Sequence, residues 1–207
     1  MPDQNALLRD RKKARTRHAL IEHAVILFDT VGFEATTVDD IVAAVGCSQR
    51  TFFRHFAAKE DVVFHDLPER LAELTELLDT VGEDASPWHT VRDSMRRLTR
   101  QFTDENPRLT EVRIRLWMTE PLLYARWAEL SMDWERVLTR YLVARGGSGT
   151  GFDIEAEVIA AALVAGLRAA WRGEVLHGGR FDELVDRALA VLDRGFDEYD
   201  RTERTLD

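Results

Sequence analysis

Apolar residues in this chain return every three to four positions almost from end to end, and no run alternates apolar with polar residues between turn signals as a half-buried strand does. That period is the signature of one face of a helix, so the fold class is all-α. Glycine and proline punctuate the pattern into about nine helices. The first is predicted over residues 8–31, with Leu20, Ala24, Leu27, Phe28 and Val31 on one face. Gly32 closes it in the left-handed conformation open to a residue without Cβ. Thr37 and Asp40 have the spacing of a capping box, with Asp for the usual Glu, and start a short helix over 38–45 that buries Ile41 and Val45. Gly46 breaks it. Ser48 caps a third helix over 49–56, and a fourth runs from Lys59 to Leu78 with a kink near Pro68.

The second half follows the same grammar with longer helices. Ser86-Pro87 and Asn106-Pro107 each set a capping side chain before a proline in the first helical turn, and Glu120-Pro121 interrupts the helix begun by the second pair. A further helix runs to about residue 145, and the glycine-rich stretch 146–151 reads as a loop. The last two helices, over 154–176 and 181–199, are separated by Gly178-Gly179, and there is no internal repeat.

With 207 residues, 45% hydrophobic, the chain can bury a core without a disulfide or metal. Its single cysteine, Cys47, excludes an internal disulfide and reads as a buried, inert thiol. The longest mostly apolar run, 158–170, is shorter than the roughly 20 residues of a membrane span and contains Arg168. The first ten residues lack the apolar core of a secretory signal, so a cytoplasmic protein with no membrane association is expected. The net charge of −9 argues against a protein coated for nucleic acid, but its distribution reverses that impression. Residues 1–60 are net +1 and residues 61–207 net −10, while the first twenty hold Arg9, Arg11, Lys12, Lys13, Arg15 and Arg17 against only Asp3 and Asp10. A small basic module therefore precedes a larger acidic body.

Two short helices joined by a tight turn at Gly46 form a helix-turn-helix, whose second helix inserts N-terminal side chains into a major groove. Gln49 and Arg50 stand there. Gln pairs bidentately with adenine, and Arg with the two acceptors of guanine. Thr51, His55, Lys59 and backbone N–H groups near Thr37 suit phosphates, which position without reading sequence. Phe52 and Phe56 fit the core.

Gly32-Phe33, Thr36-Thr37-Val38, Ile41-Val42, Gly46-Cys47-Ser48, Thr51-Phe52-Phe53, His55-Phe56 and Lys59-Glu60, in this order and spacing, resemble the DNA-binding domain of TetR-family transcriptional regulators over roughly residues 12–64. The resemblance implies an all-helical homodimer with a three-helix DNA-binding head, residues 1–57, and a ligand-binding and dimerisation body, residues 58–207. It implies base contacts from Gln49 and Arg50, and phosphate contacts from Thr37, Thr51, Phe53, His55 and Lys59. Ser48, Lys12, Lys13 and Arg17 complete the expected DNA-facing set. Phe53 lacks the phenolic hydroxyl that many members place there, and Arg50 replaces a small residue. The body is similar to that of mycofactocin-type regulators.

Trp117, Met118, Tyr124, Trp127 and Trp134 cluster in the body and, with Trp171 and Arg113, are the candidates to line a ligand pocket, although aromatic residues at helical spacing more often fill a core. Val158, Ala162, Ala165 and Ala169 on one helix, with Leu184, Ala188 and Leu192 on the last, offer small and apolar surfaces for a four-helix interface across a two-fold axis. Six histidines show no metal-ligand spacing, and the glycine-rich loop lacks the Lys-Ser/Thr of a phosphate-binding loop, so no enzyme, cofactor or metal is expected. An architectural DNA binder would be basic throughout. The expectation is a sequence-specific regulator, a repressor released from a palindromic double-stranded DNA operator by a small-molecule inducer.

Overall fold

The computed structural model of the protein describes residues 4–82, 85–146 and 153–194, and among them every regular element is an α-helix. The ten helices are α1 (Gln4–Thr30), α2 (Val38–Val45), α3 (Gln49–Phe53), α4 (Glu60–Val63), α5 (Leu67–Asp79), α6 (Pro87–Glu105), α7 (Pro107–Thr119), α8 (Pro121–Gly146), α9 (Ile154–His177) and α10 (Phe181–Arg194). The tail of the last expected helix, 195–199, and the loop residues 147–151 lie outside the described residues.

Several boundaries differ from those expected, each for a local reason. The fourth helix is not one kinked rod: α4 ends at Val63, Phe64 leaves helical geometry at φ −105° and ψ 20°, and α5 begins at Leu67. Pro68 therefore sits in the first turn of a new helix, where its missing N–H costs nothing, rather than in a bend. The basic N-terminal stretch is helical from Gln4 onward. In α2 it is Val42, not Val45, that joins Ile41 in the core, and Val31, past the end of α1, is exposed. The recognition helix α3 stops at Phe53, although His55 and Phe56 still donate their N–H groups to the Phe52 carbonyl at 2.8 and 3.0 Å.

The chain divides into two compact units that do not follow sequence order: Met1–Asp66 with Arg108–Arg126, and Leu67–Pro107 with Trp127–Asp207. The unit that holds the helix-turn-helix thus extends past residue 57 and includes α7 and the start of α8. Its core joins Leu20, Ala24 and Phe28 of α1 to Phe33, Ile41, Phe52 and Val62, with Ile114, Trp117 and Leu123 from the later segment. Phe28 and Phe33 meet edge to face at 5.0 Å, and Phe64 stacks on Trp117 at 5.3 Å.

In the second unit, Leu74, Met95, Leu98, Leu138, Leu163, Val185 and Leu189 are buried. Small residues let α9 and α10 lie close: a Cβ added at Gly166 would stand 3.5 Å from that of Ala188, and one at Gly173 would stand 3.4 Å from Leu184. An aromatic chain runs from Trp127 edge-on to Trp171 at 5.0 Å, on to Phe181 at 5.6 Å, and to Phe102 at 6.0 Å. No described helix is long and apolar enough to cross a membrane.

Candidate nucleic-acid interface

The helix-turn-helix is built by two caps and one glycine. Thr37 accepts the Asp40 N–H at 3.2 Å while Asp40 accepts the Thr37 N–H at 2.8 Å, so two backbone donors left over at the start of α2 are satisfied reciprocally. The hydrogen bonds from the Thr37 side chain and backbone hold the Asp40 carboxyl below its ordinary pKa. Gly46 closes α2 at φ +70° and donates its N–H back to Ala43 at 3.2 Å. Ser48 then caps α3, accepting the Thr51 N–H at 3.2 Å, with the two hydroxyl groups 3.0 Å apart. Phe52, fully buried, anchors α3 from beneath. The residues at its start, Ser48, Gln49 and Arg50, are consequently turned out and exposed, as is Phe53 at its end.

The expected DNA-facing residues divide by what they already hold. The Arg50 side chain makes no hydrogen bond or ion pair among the described residues, and Lys12 and Lys13 are exposed along α1. Gln49 donates through Nε2 to the Asp39 carboxylate of α2 at 2.5 Å. Thr37 and Ser48 act as caps. Arg17 is turned inward, donating to the His65 carbonyl at 2.6 Å with its guanidinium 5.5 Å from the centre of the Phe56 ring. Lys59 is also turned inward: Nζ donates to the carbonyls of Phe33 at 2.7 Å and Thr36 at 3.0 Å and lies 4.3 Å from the Phe33 ring centre. The expected phosphate ligand is thus a staple that ties the start of α4 to the loop before α2, a role no local spacing announces.

His55 is half-buried beside Phe56, and its Nε2 has no hydrogen-bond partner among the described residues. Burial and then the charges of Arg54, Lys13 and Arg17 push its pKa down, so at pH 7 the ring is neutral. It therefore brings no positive charge to a phosphate, and its Nε2 is buried. Burial likewise pushes the Cys47 thiol up, against a smaller opposing pull from Arg54, which leaves it protonated and unreactive.

The expected ligand set is split between the units: Arg113, Trp117, Met118 and Tyr124 lie in the first, Trp127, Trp134 and Trp171 in the second. Arg113 is 3% exposed, donating Nε to the Val63 carbonyl at 2.8 Å and its terminal nitrogens to the Asp66 carboxylate. A buried guanidinium without a partner would cost several kcal/mol, and this ion pair meets that need. Arg113 is thus a clamp of α7 on the end of α4, and Trp117, 1% exposed, is core beneath it. Trp127 and Trp171 are also packed side chains, while Met118, Tyr124 and Trp134 are half-buried. An open groove of about 520 Å³ in the second unit, between the end of α5 and the start of α6, contains none of the seven.

Of the expected dimer residues, Val158, Ala162, Ala165 and Ala169 share one face of α9 and are exposed or half-buried. Leu184, Ala188 and Leu192 of α10 are half-buried, the first two against the glycines of α9.

Comparison with known proteins converges on this reading. Residues 20–65 match the family of bacterial regulatory proteins called tetR, and residues 85–197 match the MftR C-terminal domain. The chain is 30% identical over 143 residues to the protein named as the mycofactocin biosynthesis transcriptional regulator MftR of Mycobacterium tuberculosis, covering 68% of this chain and 70% of that one. It is 32% identical over 163 residues to the HTH-type transcriptional regulator TcmR of Streptomyces glaucescens, covering 76% and 72%. Among solved structures, FadR of Thermus thermophilus, a transcriptional repressor in complex with lauroyl-CoA, aligns with a TM-score of 0.56 at 20% identity over 85% of this chain and 92% of that one. SmeT of Stenotrophomonas maltophilia, the repressor of a multidrug efflux pump, aligns at 0.60 with 17% identity over 84% and 86%. A capped helix-turn-helix with its reading residues exposed, followed by an MftR-type helical domain, places this chain in the TetR family of DNA-binding transcriptional regulators.

Proposed function

We propose that the protein is a repressor that binds a palindromic operator as a homodimer in the cytoplasm and leaves it when a small molecule binds the helical body. The observation that carries the reading is the start of α3: both caps are in place, Phe52 is buried, and Gln49 and Arg50 are exposed at the end that enters a major groove. Gln49 and Arg50 read base edges. Thr37, Ser48, Thr51, Phe53 and His55 line the phosphate side, and the exposed Lys12 and Lys13 extend it along α1. Arg17 and Lys59 support this surface from behind.

Release requires a ligand that binds the DNA-incompetent arrangement more tightly, since equal affinity for both states shifts nothing. Lauroyl-CoA, bound to the structural neighbour FadR of Thermus thermophilus, supports an apolar or acyl-bearing inducer. Within the second unit, the half-buried Trp134 is the member of the expected set with surface left to meet it, and within the first unit Met118 and Tyr124 are half-buried. The test is a gel shift with DNA upstream of the protein's own gene, with unrelated DNA as competitor. A complex that survives the competitor and dissolves with a member of an acyl-thioester panel is expected. A complex competed equally by any DNA would identify an architectural binder instead.

A further inference from the structure

Asp39 is the second residue of α2 and takes no part in the capping box, which uses Asp40. Its carboxylate instead accepts Nε2 of Gln49 across the turn, at 2.5 Å, and both residues are exposed on the reading face. A free glutamine side chain turns its amide either way round, presenting a donor and an acceptor in either order. A carboxylate accepts only. Asp39 therefore fixes which end of the amide faces α2: one N–H of Nε2 is held, and the other N–H and Oε1 remain as an edge. That edge, donor beside acceptor, matches the N7 acceptor and N6 donor of adenine in the major groove. Guanine shows two acceptors there and finds no partner for O6 on such an edge.

We propose that Asp39 is a specificity-determining residue of the helix-turn-helix, acting through Gln49 by holding its amide in the orientation that selects adenine. The inference rests on the DNA-reading role proposed for this face. Asp39 also carries a negative charge beside a surface that must approach phosphates, which lowers affinity for any DNA alike. Its net effect is discrimination gained against total affinity, and that combination separates positioning from simple support of the fold.

The experiment is selection from randomised duplexes by the full chain as wild type, Gln49→Ala, Asp39→Ala and Asp39→Asn, with a melting curve for each. Wild type is expected to select adenine at one position of each half-site, by a factor on the order of tenfold. Gln49→Ala loses that selection. Asp39→Ala loses most of it at the same position, while binding random DNA at least as tightly as wild type. Should Asp39→Ala melt early, Asp39→Asn keeps the size but accepts or donates, so the amide turns either way and the same selection weakens. Undiminished adenine selection in a folded Asp39 variant overturns the proposal, as does a Gln49→Ala protein that still selects adenine there; in both cases DNA reading by this face stands. Absence of any base selection by the wild type overturns the reading of the face itself, and the role of Asp39 with it.

Discussion

Arg50 and Lys59 belong to one expected interface, yet their surroundings assign them opposite jobs. The Arg50 side chain is exposed and without a partner among the described residues, so its five N–H donors are free for guanine. Arg50→Ala is expected to weaken operator binding by roughly 1–3 kcal/mol and to relax preference at one base position per half-site, read by titration against single-base operator variants. Unchanged preference would make Arg50 a phosphate contact. Lys59 already gives two hydrogen bonds to the carbonyls of Phe33 and Thr36 and lies over an aromatic ring. A charged donor lost from a part-buried carbonyl costs about 1.5–3 kcal/mol. Lys59→Ala is therefore expected to lower the melting temperature and leave the salt dependence of DNA binding nearly unchanged. A phosphate ligand would show the reverse: an unaltered melt, and a salt slope shallower by about 1 per monomer.

At the scale of the element, α2 depends on its two ends. Gly46 stands at φ +70° with nothing within 4 Å of an added Cβ, so Gly46→Ala is opposed by backbone strain alone. That strain is about 1 kcal/mol, as is the loss of the cap in Thr37→Ala, and denaturant unfolding should register both. The Asp40 carboxylate contributes stability above its unfolded value of 3.8, and this contribution disappears as acid carries the pH down through its lower folded value. In Thr37→Ala that last portion of the acid transition should move to higher pH. These ends were legible in the sequence because caps are local: Thr37 with Asp40, Gly46 and Ser48 each act within four residues. The break between α4 and α5 was legible only as a kink, because apolar spacing continues through Phe64 and Pro68 suits a bend as well as the first turn of a new helix. The roles of Lys59 and Arg113 were hidden, since their partners Phe33 and Asp66 lie 26 and 47 residues away. That distance also sets the consequence of cutting the clamp: Asp66→Ala removes the carboxylate that faces the buried Arg113 guanidinium, and a loss of about 3–5 kcal/mol in stability is expected from equilibrium unfolding. A loss below 1 kcal/mol would show that water reaches Arg113.

At the scale of the whole molecule, the two faces of α9 have different fates. Ala156, Ala160, Leu163, Val164 and Ala170 are buried within the second unit. Val158, Ala162, Ala165 and Ala169 recur on another face, with Val158 58% exposed, and Val191 of α10 is 44% exposed. Residues this small and apolar let a second helix approach closely, and a two-fold axis would set each such stripe against its own copy. Ala165 is the sensitive position. It is half-buried, so a glutamate there is tolerable in one chain alone, whereas two chains closing on it would trap two like charges without partners. Ala165→Glu is expected to sediment as a folded monomer at micromolar concentration, with helical circular dichroism unchanged. DNA binding then separates into two parts. A single half-site duplex, which one head fills, should bind the variant as it binds wild type. A full operator, whose half-sites lie roughly 34–36 Å apart, should lose the affinity gained by tethering two heads. A variant that remains dimeric, or one that loses the half-site as well, would place the two-fold contact elsewhere or show that the head depends on dimerisation to fold.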